Sequence, residues 1–270
     1  MTRKLTFSTL CCPDWDLESI LDHATKFGFA GVDFRGVGPT LDMTTLPSFS
    51  SEGHATRRMI ESRRLMVACL CSSIRLLEAD ARKWNGSLDE FMRHLRAAEL
   101  FGTPIIRVFP GEAPAGVPMD EVLGVARHRL VQLTRMAGKL GARPAVETHD
   151  QGWMRASQTI RLVEAFDPHD VPLIWDVRHG LREGEAWATS LAIVRDRVAS
   201  VHVKDSKLVN GKETPTLIGE GDLPWSEVVK ALDDIGFAGW YCLENEKRWN
   251  PASPNPLDIL PQFVDWMRRA

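Results

Sequence analysis

Eight times along this chain a short apolar run is followed by a stretch with helical spacing, and no other feature narrows the fold so far. The runs occupy residues 5–10, 31–35, 66–73, 104–109, 143–148, 172–177, 199–204 and 239–244. They are nearly continuous in apolar residues, as parallel strands covered on both faces must be. In the first helical stretch Asp16 is placed to cap Leu17, Ile20, Leu21, Ala24 and Phe27, which share one face. Val122, Val125, Ala126, Leu133, Met136, Ala137 and Leu140 do the same in a longer fourth helix, and Pro224 suits the first turn of the seventh. The joints repeat as well: Gly28-Phe29-Ala30-Gly31 leads into the second strand and Gly236-Phe237-Ala238-Gly239 into the eighth. Glycine just past a helix is its left-handed stop. Strand starts lie 26 to 40 residues apart, the spacing of βα units. The pattern predicts an α/β fold, a (β/α)8 TIM barrel in which residues 1–270 form a single domain. A doubly wound open sheet is the competing arrangement.

The 44% hydrophobic and 26% charged content is that of an ordinary globular protein, and no apolar run reaches the length of a membrane span. The apolar stretch near the start is short and reads as a strand rather than a signal peptide. Five cysteines without a CxxC pair argue against a disulfide framework, so a reducing cytoplasm is expected. A net charge of −3 lacks the basic excess of a nucleic-acid binder. Neither a membrane nor a nucleic-acid partner is expected, and a homo-oligomer is left open.

The connections are lopsided. Helix-to-strand joints are short, whereas the segments 36–51, 74–87, 110–118, 205–223 and 245–255 that follow strands are long. In a barrel these long loops share the C-terminal face, where active sites are built. Four polar residues end consecutive strands there: Glu147 on the fifth, Asp176 on the sixth, His202 on the seventh and Glu244 on the eighth. Each is flanked by apolar residues, so strand alternation turns all four tips into the barrel mouth if the apolar neighbours face the helices. Three carboxylates and an imidazole cannot share a half-buried site without a cation. Three oxygen donors and one nitrogen suit one divalent ion: Mn²⁺, Mg²⁺, Co²⁺ or Zn²⁺. The competing reading pairs Glu147 and Glu244 with Arg107 or Lys204.

The motifs Glu147-Thr148-His149, Trp175-Asp176-Val177-Arg178-His179, His202-Val203-Lys204-Asp205, Gly219-Glu220-Gly221-Asp222 and Arg107-Val108-Phe109-Pro110-Gly111 resemble, in this order, the xylose isomerase-like TIM-barrel superfamily. That superfamily contains sugar and sugar-phosphate isomerases and epimerases, inosose dehydratases and the endonuclease IV group. The resemblance implies metal ligands at Glu147, Asp176, His202 and Glu244, and a substrate-contacting histidine at His179. Its epimerase members place an arginine six residues after the histidine ligand. This chain has Leu208 there, a departure from the ketose 3-epimerase pattern.

Such a site supports enediolate chemistry on a small carbohydrate substrate. A cation stabilises the charge left when a carbon beside a carbonyl loses its proton. Glu147 and Glu244 are the candidate acid–base pair. His179, Lys204, Arg107 and His149 are candidates for substrate contact. For Lys204 an ion pair with Asp176 or Glu244 is the equal alternative, and for His149 a role supporting the ligands from behind. Arg35 and Arg107, at the ends of the second and fourth strands, could hold an anionic substrate group, against internal ion pairing, for instance of Arg35 with Asp33. Indoles at Trp15, Trp153 and Trp249 follow strand ends and could stack on a sugar, although packing explains most tryptophans. His23, His54, His94, His128 and His169 are expected to be solvated. The leading expectation is a metal-dependent isomerase or epimerase of a sugar or sugar derivative. Rivals are an inosose-type dehydratase, an endonuclease IV-like phosphodiesterase and a non-catalytic binding barrel.

Overall fold

Strand alternation decides which side chains meet at the barrel axis, and the computed structural model, which describes residues 3–270, resolves it strand by strand. The strands are β1 (Lys4–Phe7), β2 (Gly31–Phe34), β3 (Met66–Arg75), β4 (Ile105–Phe109), β5 (Arg143–Glu147), β6 (Leu173–Asp176), β7 (Val198–Val203), β8 (Asp205–Val209), β9 (Lys212–Thr216) and β10 (Trp240–Leu243). Eight of them form one parallel sheet in the order β1-β10-β7-β6-β5-β4-β3-β2. Its two ends meet through a bridge between Ser8 and Asp33, and the Ala30 N–H donates to the Leu5 carbonyl at 2.9 Å. The result is a nearly closed (β/α)8 barrel.

The helices α1 (Leu17–Phe27), α2 (Gly53–Ser62), α3 (Ala81–Phe101), α4 (Met119–Ala137), α5 (Ala156–Val163), α6 (Val177–Arg182), α7 (Trp187–Val194), α8 (Trp225–Asp234) and α9 (Pro256–Arg269) form the outer layer. Asp16 caps α1 by accepting from the Ser19 N–H at 2.8 Å, and Gly28 stops that helix with φ 84°. Pro224 sits one position earlier than expected, as the residue preceding α8. No helix among the described residues is long and apolar enough to cross a membrane.

Two apolar clusters follow from the alternation. Val146, Trp175, Val201, Val203 and Leu243 belong to the large outer cluster between sheet and helices. Cys69, Cys71, Ile105, Ala145 and Ile174 fill the barrel interior. The inward set continues upward into polar residues, which is how one pattern yields both a core and a site.

Two expectations need correction. His94 is fully buried rather than solvated, because α3 places it beside Phe91, Leu95 and Ala98 on the face that covers the sheet. Its Nδ1 lies 3.0 Å from the Glu90 carbonyl. The segment after β7 is not simply a loop: β8 and β9 pair as an antiparallel ribbon. The ribbon turns at Asn210 and Gly211, whose φ angles of 52° and 75° are those a tight hairpin turn requires.

Candidate metal centre

Register brings the four polar tips together. Asp176 and His202 are direct partners across β6 and β7, and His202 is partnered by Cys242 on β10. Glu244 stands two residues beyond Cys242, on the same face and one step nearer the mouth. Glu147 is partnered by Ile174, two residues before Asp176, so it lies one step deeper. One ligand atom from each of Glu147, Asp176, His202 and Glu244 falls within 4.8 Å of every other. All four residues are buried, Glu147 and Asp176 completely.

Each carboxylate divides its oxygens between two tasks. Glu147 Oε2 accepts from Arg107 Nη1 at 2.7 Å, while Oε1 faces His202 Nδ1 at 2.9 Å. Glu244 Oε2 accepts from Lys204 Nζ at 2.7 Å, while Oε1 lies 3.2 Å from the same His202 nitrogen. Asp176 Oδ1 accepts from the His179 N–H at 3.1 Å, capping α6, and Oδ2 lies 2.6 Å from Lys204 Nζ. The rival pairings of Glu147 with Arg107 and of Glu244 with Lys204 are therefore both present, and each leaves one oxygen turned to the cluster.

The arrangement fits a cation. Glu147 Oε1 and both His202 nitrogens are buried without a well-aligned hydrogen bond, and Asp176 Oδ2 meets the Lys204 ammonium at 2.6 Å without hydrogen-bond alignment. Donor atoms packed this closely at angles that do not hydrogen-bond are arranged as ligands of one ion would be. Electrostatics agree. Burial disfavours the charged imidazole of His202, but Glu244 and Glu147 outweigh it and hold the pKa well above the ordinary histidine value. Burial likewise pushes the Glu244 acid up, and His202 and Lys204 reverse the effect, holding it well below the carboxylate range. Without a metal, a protonated imidazole supplies part of the charge that the acids require.

A second group lines the mouth beside this cluster. His149 Nδ1 lies 3.0 Å from Asp150 Oδ1, and the His149 ring contacts Phe109 and His179 at centroid distances of 4.5 and 4.8 Å. Burial opposes charge on His149, but Asp150 and Glu147 raise its pKa. Burial dominates at His179 and lowers it to about 4, against the pull of Asp176. Two touching imidazoles are thus shifted in opposite directions. Neither His179 nitrogen makes a hydrogen bond, and Nε2 lies 3.3 Å from Asp176 Oδ2.

The remaining candidates separate. Arg107 is 3% exposed, spent on Glu147 and the Ser72 carbonyl. Trp153 is packed in the core, Trp249 is 57% exposed and Trp15 stacks on His23 at 4.2 Å. Arg35 does not pair with Asp33, which accepts from Thr6 Oγ1 at 2.8 Å. Leu208, at the position of the epimerase arginine, lies on the hairpin and is 69% exposed. Sequence reasoning missed Asp205. Its carboxylate accepts from the N–H groups of Gly219 and Gly221 at 2.8 and 3.1 Å, folding the Gly219–Asp222 motif back onto the strand end after His202.

Residues 21–270 match the family described as xylose isomerase-like TIM barrel. An inosose dehydratase of Bacillus velezensis is 28% identical over 165 residues, covering 54% of this chain and 55% of the relative, so the chain spans about half the length of that protein. An inosose dehydratase of Lacticaseibacillus casei is 25% identical over 269 residues, covering 89% of this chain and 85% of the relative. Among solved structures, the probable 3-DHS dehydratase AsbF from Bacillus anthracis superposes with a TM-score of 0.82 at 16% identity, covering 98% of both chains. The 3-keto-D-glucoside 4-epimerase YcjR from E. coli gives 0.79 at 16% identity over all of both chains. The IOLI protein with a binding zinc atom gives 0.79 at 17% identity, covering 98% of this chain and 96% of its own. At these identities the solved structures speak to the fold.

Proposed function

This chain belongs to the xylose isomerase-like TIM-barrel family, and from that premise we propose that it is a metal-dependent dehydratase of a polyhydroxy ketone of the inosose type. The leading expectation from sequence, an isomerase or epimerase, yields to its rival on two grounds. The curated relatives named above are inosose dehydratases. The observation that carries the reading is the imidazole pair beside the donor cluster. Loss of water from the carbon beyond the enediolate requires an acid for the departing hydroxyl, and epimerisation does not.

A divalent ion held by Glu147, Asp176, His202 and Glu244 would neutralise the acids and, as a Lewis acid, take up the charge that develops on the ketone oxygen. Glu147 and Glu244 stand on opposite sides of His202 in the sheet order, one toward each face of a substrate. The base is the carboxylate whose second oxygen gives up its Arg107 or Lys204 contact to receive the proton of the acidic C–H. Arg107 and Lys204 hold the other oxygens of these acids and fix their orientation. His179, held neutral by burial and without a hydrogen bond of its own, accepts from a substrate hydroxyl. His149, whose hold on a proton Asp150 strengthens, gives its proton to the leaving hydroxyl, which departs as water.

The test uses Mn²⁺-loaded protein and an inosose in deuterated water. Loss of one water by mass spectrometry is expected. His149→Gln slows it by about 10²- to 10³-fold while deuterium uptake beside the ketone continues. Deuterium uptake by the wild type with no loss of water would instead support an epimerase.

A further inference from the structure

Of the cationic side chains at the strand ends, Arg107 and Lys204 are neutralised closely. Arg107 pairs with Glu147 at 2.7 Å, and Lys204 with Asp176 and Glu244 at 2.6 and 2.7 Å. Arg35, directly after β2, is 8% exposed, yet among the described residues no carboxylate oxygen lies within 4.0 Å of its guanidinium. Its one side-chain hydrogen bond within the protein runs from Nη2 to Ser73 Oγ at 2.9 Å. The acids that could have neutralised it are committed elsewhere. Asp33 takes the Thr6 hydroxyl, and Glu90 Oε1 accepts from the Ser73 N–H at 2.7 Å.

The position is held rather than loose. The Arg35 N–H donates to Thr9 Oγ1 at 2.9 Å, and that hydroxyl donates onward to the Gly36 carbonyl at 2.7 Å. Burial, with the Arg107 charge nearby, draws its pKa down to about 10 against the weaker pull of Cys71, Glu90 and Glu147. Arg35 thus has no carboxylate at contact distance, and a nearly buried charge without such a partner is costly unless one arrives.

We propose that Arg35 is an anion-recognition residue and that the substrate carries a carboxylate or phosphate group besides its hydroxyls. The planar fork of a guanidinium takes two oxygens of either group at once. The inference rests on the dehydratase reading of the mouth but concerns binding, and it is tested apart from turnover.

Calorimetry of the full, Mn²⁺-loaded chain uses three probes: quinate, a cyclic polyol carboxylate; myo-inositol 1-phosphate; and neutral myo-inositol. At least one anion is expected to bind about tenfold or more tightly than myo-inositol, and the favoured one tells carboxylate from phosphate. Arg35→Gln should erase that preference while leaving Mn²⁺ stoichiometry and myo-inositol affinity as they were. Should Arg35→Gln not fold, Arg35→Lys, which keeps the charge and loses the fork, reads the same preference and should weaken it. A wild type with no anion preference, whether the probes bind alike or not at all, overturns the proposal, as does a preference that survives substitution undiminished. Inosose dehydration without anion preference would sink this inference alone. Anion preference with no loss of water from an inosose or from its carboxylate or phosphate derivative would sink the dehydratase reading alone.

Discussion

Lys204 Nζ lies 2.6 Å from Asp176 Oδ2, so a buried ammonium already occupies the edge of the donor cluster. It also accompanies Glu244 at 2.7 Å, and the lysine is only 6% exposed. Removing one partner of a buried pair leaves uncompensated charge and costs about 3–5 kcal/mol. Lys204→Met, which keeps the length of the side chain, should therefore lower the denaturation midpoint of the metal-free protein sharply. Added Mn²⁺ should restore more of the variant's stability than it adds to the wild type, because the ion supplies the missing charge. Urea unfolding with EDTA and with Mn²⁺ measures both. An equal loss in the two conditions would place Lys204 outside the influence of the metal.

Metal uptake should expel a proton from His202. In the metal-free protein Glu244 and Glu147 hold its pKa well above the ordinary value, so the imidazole is protonated at neutral pH. A ligating imidazole is neutral. Below the raised pKa each unit rise in pH removes a competing proton, and affinity for Mn²⁺ should grow by about tenfold per unit. Calorimetry in buffers of different ionisation enthalpy counts the proton directly. An affinity independent of pH between 6 and 8, taken as roughly the ordinary working range, would show that His202 does not change protonation on binding.

The parts of this site that were legible in the sequence are those fixed by strand alternation. Glu147, Asp176, His202 and Glu244 each end an apolar strand, and a period of two sends them to the face opposite Val146, Trp175, Val201 and Leu243. Pairings decided by side-chain reach were not legible. Lys204 could have met Asp176 or Glu244, and it meets both. Arg35 had Asp33 two residues earlier as an apparent partner. The chain bends at Arg35, however, and the two side chains part: Asp33 to Thr6 inside the barrel, Arg35 to Ser73 at the rim. The β8–β9 ribbon was hidden by its polar strand, Lys212–Thr216, although Asn210-Gly211 is a hairpin-turn signal. His94 sits at a position of α3 where helical phase, not residue type, decides burial.

The segment between β9 and α8 depends on the closeness of Gly221 to Asp205. A Cβ added at Gly221 would lie 2.0 Å from Asp205 Oδ1, and the same carboxylate accepts from four backbone N–H groups, those of Ser206, Gly219, Gly221 and Leu223. Gly221→Ala must push the carboxylate away from these donors. A loss of about 1–3 kcal/mol is expected from overpacking, read by thermal denaturation. Because Asp205 adjoins Lys204, the variant should also bind Mn²⁺ more weakly. Unchanged stability would mean that the loop yields freely.

Asp33 should make the metal-free protein lose stability as pH rises. Its side chain is fully buried, Oδ2 has no partner, and burial raises the pKa from 3.8 to about 6 despite the Thr6 hydrogen bond. A carboxyl whose folded pKa exceeds its unfolded value favours folding most when protonated. The contribution is fully present below the unfolded pKa and is lost as pH climbs through the folded one. The shift corresponds to about 3 kcal/mol, lost mainly between roughly pH 4 and 6. Asn resembles the protonated acid in shape and cannot ionise. Asp33→Asn should therefore match the wild type near pH 4 and exceed it by up to that amount near pH 8, with metal removed so that its charge does not hold the carboxylate ionised. Urea denaturation at the two pH values decides the matter: a stability difference that does not change between them would mean that Asp33 stays in one protonation state throughout.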